Sequence, residues 1–447
     1  MILQPELESL PQRQLRALQA DRLVEVVRYA YERVPFYRRL FDGAGLEPDD
    51  VAGPSDLTGL PFTRKSDLRD SYPFGMFAVS MSEVVRIHAS TGTTGRPTVV
   101  GYTRDDLELF ATVCARALAA AGAAPGMILH NAYGYGLFTG GLGFHYGAER
   151  LGLAVLPISG GGTSRQVDLM LDFRPEVLAC TPSYALILAE ELVRRGVPPE
   201  DVPVRFAVLG AEPWTETMRA EIDRLLGARA TNCYGLSEIV GPGVAFECAE
   251  AREGSHVAED HFLPEVVDPE TGAVLPEGED GVLVVTTLTK QALPLLRYWT
   301  GDVTSLSSEP CPCGRTFVRM APVCGRTDDM LIVRGINVYP TQVEALLGSL
   351  AELTPNYRLV VSRPGYLDEM RVEVELSEAF FRSVSAEMLS EEVVNADHAL
   401  RSVRDRLSQA IKATVGVSAK VRLLEPGTAP RSEGGKIARV VDERQLA

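Results

Sequence analysis

The chain has 447 residues, 45% hydrophobic and 23% charged, values of an ordinary globular protein rather than a disordered or collagen-like one. Its 44 Lys and Arg against 60 Asp and Glu leave a net charge of −16, which argues against nucleic acid or an anionic membrane as main partner. At roughly 100–200 residues per domain, this length predicts two to four folding units.

The N-terminus, Met1-Ile2-Leu3-Gln4-Pro5-Glu6, has no basic stretch ahead of an apolar run, so no signal peptide is expected. Residues 5–45 read as helix, with Leu15, Leu18, Leu23, Val26, Val27 and Ala30 mostly at three- and four-residue steps and a break at Val34-Pro35-Phe36. Val84–Ile87 is a predicted strand ahead of a Gly/Thr loop. A helix over Asp105–Ala121 follows, with Thr103 as N-cap. Predicted strands at Leu153–Ile158, Val177–Cys180 and Val204–Leu209 alternate with helices at Ala185–Arg195 and Glu216–Leu226. That rhythm predicts an α/β fold with mostly parallel sheets flanked by helices. After about residue 262 the texture becomes antiparallel hairpin, including Glu265–Val267 and Gly281–Thr287, a β-rich subdomain. A small α+β domain is expected from residue 328 to 447, with strands at Leu331–Val333, Arg358–Ser362, Arg371–Glu375 and Ser418–Leu423 and helices at Thr341–Leu350 and Ser390–Thr414. Residues 1–327 would form the large domain. No window approaches the ~20 apolar residues of a membrane span.

Ser90-Thr91-Gly92-Thr93-Thr94-Gly95 follows the first predicted strand. Glycines let the backbone curl so that several N–H groups converge, and the hydroxyls add donors, which makes a phosphate cradle. On composition alone, a bare polar turn competes with that reading. Tyr234-Gly235-Leu236-Ser237-Glu238 offers a ring to stack on a flat base and a carboxylate for Mg²⁺; an ordinary loop with a buried Tyr is the bland alternative. Asp302, after the turn at Gly301, can accept hydrogen bonds from two ribose hydroxyls or simply cap its own backbone. Lys436 follows Gly434 and Gly435, where a lysine is usually a solvated charge.

In this order the strings resemble the motifs of the adenylate-forming enzymes, the acyl-CoA synthetases and adenylation domains. Longer strings, among them Tyr133-Gly134-Tyr135-Gly136-Leu137-Phe138-Thr139-Gly140-Gly141 and Gly335-Ile336-Asn337-Val338-Tyr339-Pro340, resemble the phenylacetate–CoA ligase family more narrowly. The resemblance implies ATP-dependent activation of an aromatic acid to an acyl adenylate, then transfer to the thiol of CoA with release of AMP. A carrier-protein phosphopantetheine is the alternative acceptor. It implies Ser90, Thr91, Gly92, Thr93, Thr94 and Gly95 on the phosphates, with Lys65 a further phosphate candidate. Glu238 would hold Mg²⁺ and Asp302 the ribose. Tyr234, Gly235 and the turn Gly210-Ala211-Glu212-Pro213 would frame the adenine, and Arg326 would contact phosphate or ribose. Lys436 would serve the first half-reaction. Asp328 would be the hinge of a mobile C-terminal domain, and Gly335 would line the thiol channel. Tyr135, Gly136, Phe138, Gly140 and Gly141 are implied for an apolar acid pocket. Phe144 either shortens that pocket, favouring a benzoate-type acid such as an aminobenzoate over phenylacetate, or packs its helix. Family members are often dimers, so a homodimer is a further expectation.

Seven cysteines, an odd number in a chain this long, point to a reducing, cytoplasmic compartment, where clustered thiols suggest metal. Cys311-Pro312-Cys313-Gly314, with Cys248 and His256 upstream, would make a closed structural Zn²⁺ site; surface thiols on a hairpin are the alternative. Cys114, Cys180, Cys233 and Cys324 stand singly and are expected to be packing residues, and His261 a hydrogen-bonded structural histidine. A nucleotide-binding regulator is the reading from another class, and the carboxylates and lysine at Glu238, Asp302 and Lys436 argue against it.

Overall fold

A computed structural model describes residues 1–90, 97–327, 331–333, 336–364, 368–384, 388–431 and 439–444. The chain divides into two units, Met1–Glu212 with Ile222–Val323, and Pro213–Glu221 with Cys324–Ala447. No described helix is long and apolar enough to cross a membrane.

In the first unit, the leading helical stretch is split at Val34 (φ −113°, ψ 108°) into α1, Gln12–Arg33, and α2, Pro35–Ala44. Pro35 fits at the first position of α2, where its missing N–H costs nothing. The helix α3, Arg104–Ala121, starts on a capping box: the Asp106 N–H donates to Thr103 Oγ1 at 3.1 Å, and Asp106 Oδ2 accepts from the Thr103 N–H at 2.9 Å. Its C-terminal half is alanine-rich because it is buried on all sides. A second helix, α4, Thr139–Leu151, lies so close that a Cβ on Gly147 would stand 2.5 Å from the Cys114 Cβ.

The helices α3 and α4 pack on a sheet that has nine strands among the described residues. A ribbon of β1, Arg86–Ser90, and β2, Thr98–Tyr102, stands apart from it. The sheet itself is built from β3, Ile128–Asn131; β4, Ala154–Leu156; β5, Val177–Cys180; β6, Phe206–Gly210; and β7, Arg229–Leu236, all mutually parallel in the order 4-3-5-6-7. The fully buried β5 reads as a continuous apolar run, as a strand covered on both faces should. These five strands are the expected parallel part of the α/β fold. The chain reverses at Gly241 (φ +114°), and β8, Gly241–Phe246, and β9, Ser255–Val257, extend the sheet antiparallel. A further antiparallel sheet carries β10, Phe262–Val267; β11, Gly281–Thr287; and β12, Tyr298–Thr304, the expected hairpin material. Loops that follow β3, β6 and β7 leave from one edge of the parallel sheet, the edge where α/β folds gather ligands.

The second unit has its own apolar core. Leu353–Ser362 pairs antiparallel with Glu369–Leu376; Ala419–Leu424 and Val440–Asp442 add parallel strands outside them. The helix expected over Ser390–Thr414 is two, Glu391–Ala396 and His398–Val415. The reason is Asp397, whose carboxylate caps the second helix by accepting from the N–H groups of Ala399 and Leu400 at 2.8 and 3.0 Å.

Candidate active site and metal centre

Tyr234 sits near the end of β7, where the register with β8 shifts between Tyr234 and Gly235. A Cβ on Gly235 would fall 1.8 Å from the Gly241 carbonyl oxygen, so only glycine lets the two strands meet there. The displaced strand end sends the Tyr234 hydroxyl to Asp302 Oδ2 at 2.6 Å. Asp302 belongs to β12 and follows Gly301 (φ +81°); its own N–H donates to Thr300 Oγ1 at 3.0 Å. Tyr234 and Asp302, distant in sequence, thus share one short charge-assisted bond.

Glu238 lies in the β7–β8 turn and is only 4% exposed. Lys65 Nζ stands 3.4 Å from its carboxylate. Lys290 holds the same residue from the core side, donating to the Glu238 carbonyl at 2.9 Å while its ammonium lies 5.2 Å from the Tyr102 ring centroid. Burial pulls the Lys290 ammonium down to about 8 against the raising pull of Asp106 and Glu238. Asp106 in turn accepts from the backbone N–H groups of Gln291 and Ala292 at 2.7 and 2.9 Å, fixing the loop that carries Lys290.

Gly210 ends β6 against β7: a Cβ there would sit 2.0 Å from the Cys233 carbonyl. Ala211 is left-handed (φ +73°), a strained state for alanine of the kind that clusters at ligand sites. Glu212 Oε1 accepts from the Ser183 N–H at 2.7 Å. Pro213 and Arg326 belong to the second unit, Arg326 in the short strand Gly325–Arg326. Ser90 ends β1 opposite Thr98. Thr91, Gly92, Thr93, Thr94, Gly95, Asp328, Gly335 and Lys436 lie outside the described residues.

The loop between β3 and α4 and the first turns of α4 carry the expected acid-pocket residues. Tyr135 is half-buried, Gly136 has φ +133°, and Phe138 is exposed at the start of α4. Gly140 faces the rings of Phe138 and Tyr133, and Gly141 abuts the Gly134 carbonyl. Phe144 is buried and stacks on Tyr133, centroids 5.3 Å apart and planes 7° apart, so it packs α4 onto this loop.

Cys248, His256, Cys311 and Cys313 come together with all four donor atoms within 4.8 Å of one another. Cys248 Sγ is 3.6 Å from Cys311 Sγ, and Cys313 Sγ is 3.4 Å from His256 Nε2. A tetrahedral ion with bonds of about 2.3 Å to sulfur and about 2.0 Å to nitrogen needs edges of about 3.8 and about 3.5 Å, so the donors fit a zinc-sized ion. His256 Nδ1 faces the Phe317 carbonyl at 3.4 Å; a carbonyl only accepts, so Nδ1 carries the proton and Nε2 offers its lone pair inward. The Arg315 N–H donates to Cys313 Sγ at 3.5 Å. Cys248, then His256 and that N–H, hold the Cys313 thiol well below the ordinary thiol range. The guanidinium of Arg315 continues outward to Glu8 at 2.7 Å, both side chains fully buried, and ties the knuckle to the N-terminal segment. His261 stands outside the cluster, bonded to Thr289 Oγ1 at 2.8 Å and 3.3 Å from Asp260 Oδ2. Cys114, Cys180 and Cys233 are buried packing residues, but Cys324 is exposed, against the expectation; it opens the second unit rather than filling a core.

Sequence reasoning missed Lys290, Asn131, His145 and Glu149. Nothing local marks Lys290, since its partner is 52 positions away. The four-residue spacing of His145 and Glu149 on α4 was the visible signal for that pair.

Residues 17–289 match the AMP-binding enzyme family, and residues 335–444 match the AMP-binding enzyme C-terminal domain. The chain is 64% identical to a phenylacetate-coenzyme A ligase of Thermus thermophilus over 100% of both chains. It is 51% identical to a phenylacetate-coenzyme A ligase of Escherichia coli, over 97% of this chain and 96% of that one. Among solved structures it is similar to a 2-hydroxyisobutyryl-CoA ligase in the postadenylation state in complex with 2-HIB-AMP, with a TM-score of 0.90 and 30% identity over 98% of this chain and 92% of that one. The same ligase with 2-HIB-AMP and CoA in its thioesterification state gives a TM-score of 0.72 at 30% identity, over 99% and 92%.

Proposed function

The chain belongs to the AMP-binding enzyme family, and on that premise we propose the roles of its residues in an AMP-forming aryl acid–CoA ligase. The enzyme activates an aromatic carboxylic acid with ATP and passes the acyl group to CoA. A carboxylate is a poor electrophile. Its oxygen attacks the α-phosphorus of ATP, pyrophosphate leaves, and a mixed anhydride forms. The CoA sulfur then attacks the activated carbonyl and AMP departs. The first step is positioning plus neutralisation of charge.

The observation that carries the residue assignment is the Tyr234–Asp302 bond beside the buried Glu238. It supports Asp302 as the ribose acceptor and Tyr234 as a wall against adenine; the turn Gly210-Ala211-Glu212-Pro213 is assigned to adenine as well. Ser90–Gly95 are assigned to the β- and γ-phosphates, Lys65 and Arg326 to further anionic contacts. Glu238 suits Mg²⁺, since a nearly buried carboxylate approached by Lys65 is matched to a cation. Mg²⁺ there would neutralise charge on the phosphates. Lys436 is assigned to the attacking carboxylate in adenylation. Asp328 is assigned to a hinge between half-reactions and Gly335 to the thiol channel; solution of the related ligase in postadenylation and thioesterification states supports that assignment.

Relatives matched over nearly the whole chain are named for coenzyme A and phenylacetate, which favours CoA over a carrier protein as acceptor and phenylacetate as the acid. Phe144 is buried and stacked on Tyr133, which supports the reading that it packs its helix rather than shortening the pocket. Cys248, His256, Cys311 and Cys313 are assigned to a structural Zn²⁺, which would staple the β8–β9 region to the Cys-x-Cys knuckle. The need for ATP and CoA is met in the cytoplasm, where we place the protein.

The test is pyrophosphate exchange into ATP across a panel of aryl acids. Exchange that depends on phenylacetate, and its loss in Lys436→Ala while that variant still makes thioester from supplied acyl-AMP, is expected. Equal loss of both half-reactions would refute the role given to Lys436; no exchange with any acid would favour a regulator.

A further inference from the structure

The hydroxyl of Tyr135 is bonded on two sides. Asn131 Nδ2 donates to it at 2.8 Å, and His145 Nδ1 lies 3.1 Å away. The directions of these bonds follow from the ends of the chain. Asn131 is buried, with its amide also donating to the Gly141 carbonyl at 2.7 Å, so its orientation is fixed. At the other end, His145 Nε2 is 3.2 Å from Glu149 Oε1. An ionised carboxylate only accepts, so Nε2 is the nitrogen that bears hydrogen, and with Asn131 already donating to the phenol oxygen, Nδ1 is the acceptor that the phenol hydrogen meets. The one proton of the phenol therefore goes to His145. The chain reads Asn131 to Tyr135 to His145, and His145 to Glu149.

The sequence supplies this by a short loop and one helical turn. Tyr135 stands in the loop that leaves β3, four residues after Asn131. His145 and Glu149 are one turn apart on α4, on one face of the helix. The rings of Tyr135 and His145 meet edge to face at 5.9 Å between centroids. The Tyr135 backbone is held as well, its N–H donating to Ser159 Oγ at 3.3 Å.

We propose that His145, oriented by Glu149, is a positioning residue for the acid pocket: by accepting the hydrogen bond of the Tyr135 hydroxyl it commits that hydroxyl and leaves the tyrosine to meet the acid with its ring alone. This rests on the reading that the Tyr133–Gly141 segment, the loop before α4 and the start of that helix, lines the acid pocket. Its consequence is a preference. A phenol with its proton spent cannot donate to a polar ring substituent, so the wall favours an unsubstituted aryl ring over a hydroxylated one. Releasing the hydroxyl should weaken that discrimination, because a donor then becomes available and the ring is no longer held.

The test is a double-mutant cycle read with phenylacetate and 4-hydroxyphenylacetate. His145→Leu is expected to raise KM for phenylacetate by about three- to tenfold, the size of one lost neutral hydrogen bond, with KM for ATP changed less than about twofold. The ratio of kcat/KM for phenylacetate over 4-hydroxyphenylacetate should fall. In a Tyr135→Phe background the same substitution should change KM for the acid by less than about twofold, because the bond is already gone. His145→Asn, whose amide oxygen can stand near the position of Nδ1, should restore most of the loss and controls for misfolding. An equal effect of His145→Leu with and without the Tyr135 hydroxyl, or an equal rise in KM for ATP and acid, would overturn the proposal. Tyr135→Ala separates it from the reading beneath: unchanged KM for the acid would remove the loop from the pocket, and the proposal with it. Raised KM in Tyr135→Ala with no change in His145→Leu would sink the proposal alone.

Discussion

The Tyr234 hydroxyl donates to the Asp302 carboxylate across 2.6 Å, joining the end of β7 to the turn in β12. The bond orients a carboxylate that is 3% exposed toward whatever enters beside Tyr234. If Asp302 holds ribose, Tyr234→Phe should raise KM for ATP by about tenfold through loss of one charge-assisted bond, with little change in kcat. Asp302→Ala should cost more, about 100-fold or greater in kcat/KM for ATP. Steady-state kinetics with ATP varied checks the order; a larger loss in Tyr234→Phe would contradict the ribose assignment.

Glu238 is bracketed by two lysines, one at its carboxylate and one at its carbonyl. Glu238→Gln keeps the shape and removes the charge. Adenylation should fall by about 10²–10³-fold, and the Mg²⁺ concentration for half-maximal exchange should rise. Lys290→Met should give a smaller loss, because it releases the backbone of Glu238 without removing the carboxylate. An unchanged Mg²⁺ dependence in Glu238→Gln would exclude the metal role.

The fit of three thiols and His256 to a tetrahedral ion predicts about one zinc per chain by elemental analysis. Cys311→Ser should lose the metal and lower Tm by several degrees, roughly 2–4 °C for each kcal/mol in a chain of this size or somewhat less. Because Arg315 links the cluster to Glu8, hydrogen exchange should quicken in residues 1–12 on metal loss. Metal-free protein with unaltered Tm would contradict a structural site.

Burial pulls His261 down to about 4, against the raising effect of Asp260 and helped by Arg116 and Arg22. The folded state therefore binds its proton more weakly than the unfolded chain does. Between about pH 6.5 and 4 the unfolded state gains a proton that the native state does not, so stability falls as the pH falls through that window. The contribution is on the order of 3 kcal/mol at most. Denaturant unfolding at a series of pH values should show a shallower acid slope in His261→Gln than in the parent. Identical slopes would contradict it. His88 and His130 are shifted the same way by burial, so part of the slope should remain.

Where local chemistry decided structure, the sequence was readable. The Thr103 cap, the break at Pro35 and the Cys-x-Cys knuckle each depend on a few adjacent residues. The tail of the large sheet was not readable, because nothing in a single strand says that β8 runs opposite to β7; the reversal rests on Gly241 and on the closeness of two strands at Gly235. The helix over residues 390–414 was read as continuous because its apolar spacing carries on through Asp397, whose capping role appears only once the chain turns there. At the site, Tyr234, Glu238 and Asp302 were legible as motifs. Lys290 and the Tyr135–His145 bond were not, since they depend on which loops the fold brings together.

The central claim is that a carboxylate oxygen attacks the α-phosphorus of ATP. Phenylacetate labelled with ¹⁸O in both carboxylate oxygens tests it directly, with the products read by mass spectrometry after turnover with ATP and CoA. Attack at the α-phosphorus leaves one labelled oxygen in AMP after the thiol displaces it, and none in pyrophosphate. Unlabelled AMP, or label in inorganic phosphate with ADP as co-product, would contradict the account.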